Sequence, residues 1–249
     1  MKYRPENDEE RRFLAAYRKK NWPRPAVTAD VAAFARLDGV LSLLLIRRAD
    51  YPCRGQWALP GGFVDVDQDA DLEACARRKL KEKTGLASPY LEQLGSWGSR
   101  DRDPRGWSAT HVYFALIPAE GAEPRAGGYA ADARWHVLRD HGVAERLAFD
   151  HATILAAAIE RLRSKVEYTS LPAFLLPEEF TLTDLQQVYE IVLGRPLNKS
   201  AFRTRVMDAE LIVEVPRQRG GPNRPAQLYR LKDRRNPVFF PRTFSPRAE

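Results

Sequence analysis

Hydrophobic positions change their period along this chain, and the changes divide it into elements. Between Glu9 and Lys20, Phe13, Leu14 and Tyr17 recur at helical spacing, which predicts a short amphipathic helix, and "WPRP" ends it. "AVTADVAAFAR" and "LSLLLIRR" are apolar runs separated by "LDG", and Asp38-Gly39 is a two-residue hairpin signal. "WALPGGFV" reads as a strand running into a turn. From Asp71 to Lys83, Leu72, Cys75, Ala76 and Leu80 return to helical spacing, and Gly85 stops the helix. "GSWGSRDRDPRGWSATHVYFALIP" predicts turn, loop and strand, and "DARWHVL" another strand. "HATILAAAIERLRSKV" predicts a helix with Ile154, Leu155, Ala158, Ile159 and Leu162 on one face. These elements predict a mixed sheet with helices packed on it.

The texture changes after Lys165. "EYTSLPAFLLPEEF" is proline-spaced and reads as a connector. "TLTDLQQVYEIVLG" predicts a helix capped by Thr181 or Thr183 and ended by Gly194. "RPLNKSAFRTRVMDAEL" predicts a second helix, capped by Asn198. "LIVEV" and "AQLYRL" alternate as short strands, joined by the basic, Gly/Pro-rich "PRQRGGPNRP". Helix, tight turn, helix and basic-tipped hairpin is the order of a winged helix-turn-helix.

Charge sharpens that reading. Residues 195–249 hold 13 Lys or Arg against 5 Asp or Glu, whereas residues 1–194 hold 27 against 28. The net charge of +7 therefore resides in the C-terminal fifth, as expected for an anionic partner, most often nucleic acid. Lys199, Ser200, Arg203, Thr204 and Arg205 lie on the second helix, where a recognition helix needs arginines and short polar groups. Arg205 falls on a different edge from Lys199 and Arg203. Arg217, Arg219 and Arg224 belong to the wing, where arginines track phosphates or enter the minor groove. The four histidines show no metal spacing. Two cysteines, Cys53 and Cys75, are too few for a disulfide scaffold or zinc cluster. No apolar run approaches the ~20 residues that span a bilayer, and the charged N-terminus is no secretory signal. A cytoplasmic protein is expected.

"LPGGFVDVDQDADLEACARRKLKEKTGL", Leu59 to Leu86, carries the most specific chemistry. Gly61-Gly62 lets backbone approach a ligand, and the following helix welcomes an anion at its N-terminus. The stretch resembles the Nudix box, which hydrolyses nucleoside diphosphates linked to another group. In that family the closing helix reads Arg-Glu-(apolar)-x-Glu-Glu-x-Gly-(apolar); here it reads Arg78-Lys79-Leu80-Lys81-Glu82-Lys83-Thr84-Gly85-Leu86. Carboxylates at relative positions i, i+3 and i+4 share one helical face, where they hold a divalent metal that bridges the diphosphate. Here those positions are Lys79, Glu82 and Lys83. The spacing from Gly62 to Arg78 is also about two residues longer than the family's, and includes Asp65, Asp67, Asp69, Asp71 and Glu73, among which a displaced acidic ligand is conceivable. Two ammonium groups beside Glu82 repel Mg²⁺, so metal-dependent hydrolysis is expected to be lost or feeble. Their charge is expected instead to bind a diphosphate uncut. Arg47 and Arg48, Arg105 and Trp107 in "DPRGWS", and Tyr113 are candidates to complete such a pocket with Gly61, Gly62, Lys79, Glu82 and Lys83; no metal ligand and no cofactor is expected. The competing reading of the lysines is helix-surface ion pairing with Glu82.

"FTLTDLQQVYEIVLGRPLNKSAFRTRV" and "GGPNRPAQLYRL" are similar to the C-terminal domain of Nudix-related transcriptional regulators of NAD metabolism. The resemblance implies an α+β chain: an N-terminal Nudix-like α/β/α sandwich with a mixed sheet at 26–166 and a winged helix at 167–235, flanked by an arm at 1–25 and a tail at 236–249. It also implies a homodimeric regulator, usually a repressor, on palindromic double-stranded operator DNA, with ADP-ribose or a related nucleotide as effector. The rival is an active Nudix hydrolase of ADP-ribose or a similar compound.

Overall fold

The computed structural model describes residues 4–19, 24–139, 142–220 and 225–240. In chain order α1 covers Asp8–Lys19, β1 Ala26–Leu37, β2 Val40–Arg48, β3 Trp57–Ala58, β4 Gly61–Phe63, α2 Leu72–Thr84, β5 Tyr90–Ser99, β6 Ser108–Leu116, β7 Ala130–Val137 and α3 His151–Val166. The seven strands form one mixed sheet, with β3-β2-β1-β6-β5 in order, β4 added to β1 and β7 to β2. β1 runs parallel to β6, and its other partners are antiparallel. The β1–β2 hairpin turns on Asp38 and Gly39, at φ of 48° and 77°, the left-handed pair that a two-residue turn requires.

Alternation along β1 decides which helix covers which face. Ala29, Val31 and Ala33 pack with Leu44, Cys75, Ala76 and Leu80 under α2. Ala32 and Phe34 point the other way, with Leu43, Phe114, Ile154 and Leu155 under α3. The expected sandwich is present.

The connector between the two modules is itself part of the core. Leu171–Leu175 forms a 3₁₀ turn in which all five side chains are buried. Pro172 sits at the start of the turn, where no amide is needed. The module beyond comprises β8 Phe180–Thr181, α4 Leu182–Leu193, α5 Lys199–Asp208, β9 Ile212–Arg219 and β10 Ala226–Leu231. Its core residues Leu185, Val188, Phe202, Val206 and Leu211 join the same apolar cluster as Phe34 and Ile154, bridged by Phe174. The Arg36 guanidinium on β1 donates to Gln187 Oε1 on α4 at 3.0 Å across the junction. Residues 236–240, expected as the start of a tail, pack back on the connector. Val238 and Ser170 exchange hydrogen bonds, and Phe240 is buried with its amide donating to the Tyr168 carbonyl at 2.7 Å.

Candidate functional site

The Gly61-Gly62 turn floors a cavity of about 330 Å³ lined by residues of β1 and β2. Gly61 is opposite Asp30 on β1; a Cβ there would fall 1.9 Å from Asp30 Oδ1 and 2.6 Å from the Ala29 carbonyl. Only glycine lets this turn close on β1. Asp30 is buried, and the Thr110 hydroxyl donates to its carboxylate at 2.6 Å.

Asp71 caps α2 by accepting from the Ala74 amide at 2.8 Å, and Gly85 ends it at φ 71°. Lys79, Glu82 and Lys83 fall on the cavity side. Glu82 binds Lys79 at 3.0 Å, Lys83 at 3.2 Å and Arg78 at 3.2 Å. The lysines are therefore ion-paired, but not on a solvated surface: their side chains are only 14% and 7% exposed. Burial alone would raise the Glu82 pKa; hydrogen bonds and charge from the two lysines reverse that and hold it below the ordinary value.

The acidic run before α2 is engaged elsewhere. Asp69 accepts two 2.6 Å hydrogen bonds from Arg78, which hold its carboxyl well below the usual carboxylate range against burial. Asp71 is the cap, and Glu73 pairs with Arg77. Asp65 accepts from the Asp67 and Gln68 amides of its own turn. Among the described residues no group of three His, Cys, Asp or Glu side chains is placed to hold a metal. A divalent cation does not fit the donor set at α2, because its one carboxylate is taken by three cations.

The opposite wall is also cationic. Arg48 lines the cavity with its Nε donating to the Pro52 carbonyl at 2.8 Å and its guanidinium 4.8 Å from the Phe149 ring centre. It has no carboxylate partner among the described residues, and burial followed by the neighbouring Arg105 charge lowers its pKa. Arg105 is ion-paired with Asp103 at 2.7 Å and lies over the Phe63 ring. The arrangement can hold an anion between two cationic walls over a glycine floor.

Three sequence candidates lie outside this cavity. Arg47 neighbours Arg48 on β2 and points to the other face, exposed. Trp107 packs against Gly98, its ring 3.2 Å from where a Cβ would stand, and stays half exposed. Tyr113 is buried with Ala76 and Leu80 beneath α2, and burial raises its pKa. Conversely, the sequence reading missed Asp30, Tyr51, Arg102, Asp103, Tyr129, Phe149 and His151, all of which line the cavity. Tyr51 and Tyr129 stand 79% and 74% exposed, available to stack on a ring. His151 is fully buried, accepts the Leu59 amide on Nδ1 at 3.0 Å, and has its pKa lowered by that burial. Exposed tyrosines in loops were the one signal available for finding these.

In the C-terminal module Thr181 and Asp184 form a reciprocal capping box on α4, Gly194 ends it, and Asn198 caps α5. Phe202 and Val206 of α5 face inward, and Lys199, Ser200, Arg203 and Thr204 face solvent. Lys199 and Arg203 border a groove shared with Thr183, Gln218 and Tyr229. Arg205 departs from its predicted role. Its Nη2 donates to the Glu167 carbonyl at 2.7 Å and its guanidinium lies over Phe240, back toward the sheet domain. β9 extends to Arg219, so "PRQR" is strand rather than wing tip. Arg217 pairs with Glu179 and Arg219 with Asp184 at 2.8 Å; such exposed pairs are worth only ~0–1 kcal/mol and exchange readily for phosphates. Arg224 lies outside the described residues.

Comparison with known proteins finds two families along the chain. The NUDIX domain model matches residues 25–158, and the NrtR DNA-binding winged helix domain model matches residues 172–231. The ADPR responsive transcriptional repressor NtrR of Acinetobacter baylyi is 46% identical over 97% of this chain and 96% of its own length. Shewanella oneidensis NrtR complexed with a 27mer DNA superimposes with a TM-score of 0.79 at 40% identity, covering 86% of this chain and 97% of that one. The NUDIX domain of the same protein complexed with ADP ribose superimposes with a TM-score of 0.58 at 39% identity, over 61% and 98% of the two chains.

Proposed function

We propose, because the chain belongs to the Nudix family and joins that domain to the winged helix of the NrtR regulators, that it is a transcriptional repressor whose Nudix domain senses ADP-ribose. The observation that carries the reading is the cavity in which Lys79 and Lys83 flank Glu82 opposite Arg48 and Arg105. The ADP-ribose diphosphate lies between these walls, close to the Gly61-Gly62 backbone, and Tyr51 or Tyr129 is positioned to stack on the base. Binding needs no metal, because lysine ammonium groups supply the positive charge. Cleavage is lost or feeble, because the one carboxylate on the α2 face is neutralised and cannot collect a metal ion to activate water.

The output is DNA binding. Lys199, Ser200, Arg203 and Thr204 form the exposed face of α5 and enter the major groove, while Arg217 and Arg219 on β9 reach the phosphates. The protein acts as a homodimer on a palindromic site, so two copies of α5 read half-sites about one helical turn or a multiple apart. No helix among the described residues is long and apolar enough to cross a membrane; the protein works in the cytoplasm with its DNA.

Calorimetry with ADP-ribose in excess chelator, followed by chromatography of the recovered ligand after incubation with Mg²⁺, tests the sensor half. The expected result is saturable binding without added metal and intact ligand afterwards. Metal-dependent binding with rapid release of AMP would overturn it.

A further inference from the structure

One helix touches both ends of the proposed signal. α3 has 16 residues and is therefore about 24 Å long. Its first residue, His151, lines the effector cavity and accepts the Leu59 amide. Its cap residue, Asp150, accepts Nε and Nη2 of Arg102, a second cavity residue, at 3.0 Å each. At the far end, Glu167 closes the helix. There the α4–α5 hairpin holds Glu167 and Thr169, and Phe240 holds the residue between them. Arg205 of α5 donates to the Glu167 carbonyl at 2.7 Å, and Arg195, in the turn before α5, lies 3.6 Å from the Glu167 carboxylate. Tyr189 of α4 donates to the Thr169 carbonyl at 2.8 Å, and between them the Tyr168 carbonyl receives the Phe240 amide. Phe240 also carries the Arg205 guanidinium on its ring, 5.0 Å from the centre.

We propose that α3 is the rod coupling the effector cavity to the recognition helix, and that Arg205 is the positioning residue that clasps α5 to it. The assignment rests on the sensor-repressor reading above. A cation at the C-terminal end of α3 is favoured by the unsatisfied carbonyls there. The clasp is also breakable: Arg205 is largely exposed, so its contacts with Glu167 and Phe240 can be exchanged without opening the core. An anion seated between the cavity walls changes the balance of charge around Arg102 and His151, and a rigid helix carries any displacement of its first turn to its last. α5 then presents Lys199 and Arg203 at a different angle to its partner copy, which is what a two-fold reader of fixed half-site spacing detects.

The test compares wild type, Arg205→Ala and Phe240→Leu on an operator duplex obtained by in vitro selection, with and without ADP-ribose. ADP-ribose affinity for the DNA-free proteins is measured alongside. Wild type is expected to show an effector-driven change in operator affinity on the order of 5- to 150-fold. Both variants are expected to bind operator and ADP-ribose separately, with that factor reduced to about 1, the value for uncoupled sites. A wild-type factor retained in Arg205→Ala would overturn the clasp. So would a uniform loss of DNA affinity with the salt slope lowered by about 1, which would make Arg205 a phosphate contact. If wild type binds DNA but ignores ADP-ribose, the sensor-repressor reading itself fails and the clasp falls with it.

Discussion

The central substitution is electrostatic, and it acts residue by residue. In the proposed reading Lys79 and Lys83 stand where the Nudix box would gather a metal; Glu82 is ion-paired with both and with Arg78. Lys79→Glu is expected to weaken ADP-ribose binding by at least about tenfold, the loss of one charge-assisted contact of ~1.5 kcal/mol or more. The fold should persist, because the side chain reaches the cavity rather than the core. Unchanged affinity in calorimetry would show that Lys79 does not touch the ligand. Gly61→Ala should be far more severe, since its Cβ would overlap Asp30 Oδ1 and crowd the Ala29 carbonyl. Overpacking of this kind costs ~1–3 kcal/mol, read as a lower urea midpoint together with loss of effector binding. His151 gives a pH signature. Its folded pKa lies below the unfolded value of about 6.5 because of burial. Its contribution to stability is thus complete above that pH and is lost as pH falls below it, where only the unfolded chain takes the proton readily. His151→Asn, which keeps an acceptor for the Leu59 amide, should flatten the dependence of the melting temperature on pH between about 7 and 5. Parallel curves for variant and wild type would assign the acid sensitivity to other groups.

At the level of elements, local signals and buried context diverge. The Asp38-Gly39 hairpin, the α2 stop at Gly85 and the Asn198 cap were legible because each depends on a few adjacent residues. Thr181→Ala removes the reciprocal cap on α4 and should cost about 1 kcal/mol, measurable by chemical denaturation. The connecting role of 171–175 was legible from its spaced prolines, but its burial was not, because nothing local reveals what packs over it. β9 was read too short because Pro216 interrupts it in sequence. With β8-β10-β9 as the strand order, β9 is an edge, where a missing amide costs no ladder bond. Site residues divide the same way. The box from Gly61 to Lys83 is one continuous motif. Arg47 and Arg48 could not be separated, because which of two adjacent strand residues faces the cavity depends on register against β3 and β7. Asp30, Asp103 and His151 are distant in sequence and meet only when the sheet forms.

The whole molecule is one mechanical body, not a sensor tethered to a reader. Phe34 and Ile154 of the Nudix domain share a continuous core with Phe174 of the connector and Leu185 and Phe202 of the winged helix. Thermal unfolding should therefore follow a single cooperative transition, with Phe174→Ala lowering it for both domains together by ~3–5 kcal/mol. Two separable transitions in calorimetry would contradict that unity. Continuity of this kind is what permits a ligand at α2 to influence α5 on the far side of the connector. The most direct test of the account is fluorescence anisotropy of a palindromic operator duplex titrated with the full chain, in the absence and presence of ADP-ribose and without added metal. The account predicts tight, sequence-dependent binding whose midpoint moves when ADP-ribose is added. A chain that leaves duplex DNA of every sequence unbound, or binds it identically with saturating ADP-ribose, would contradict it.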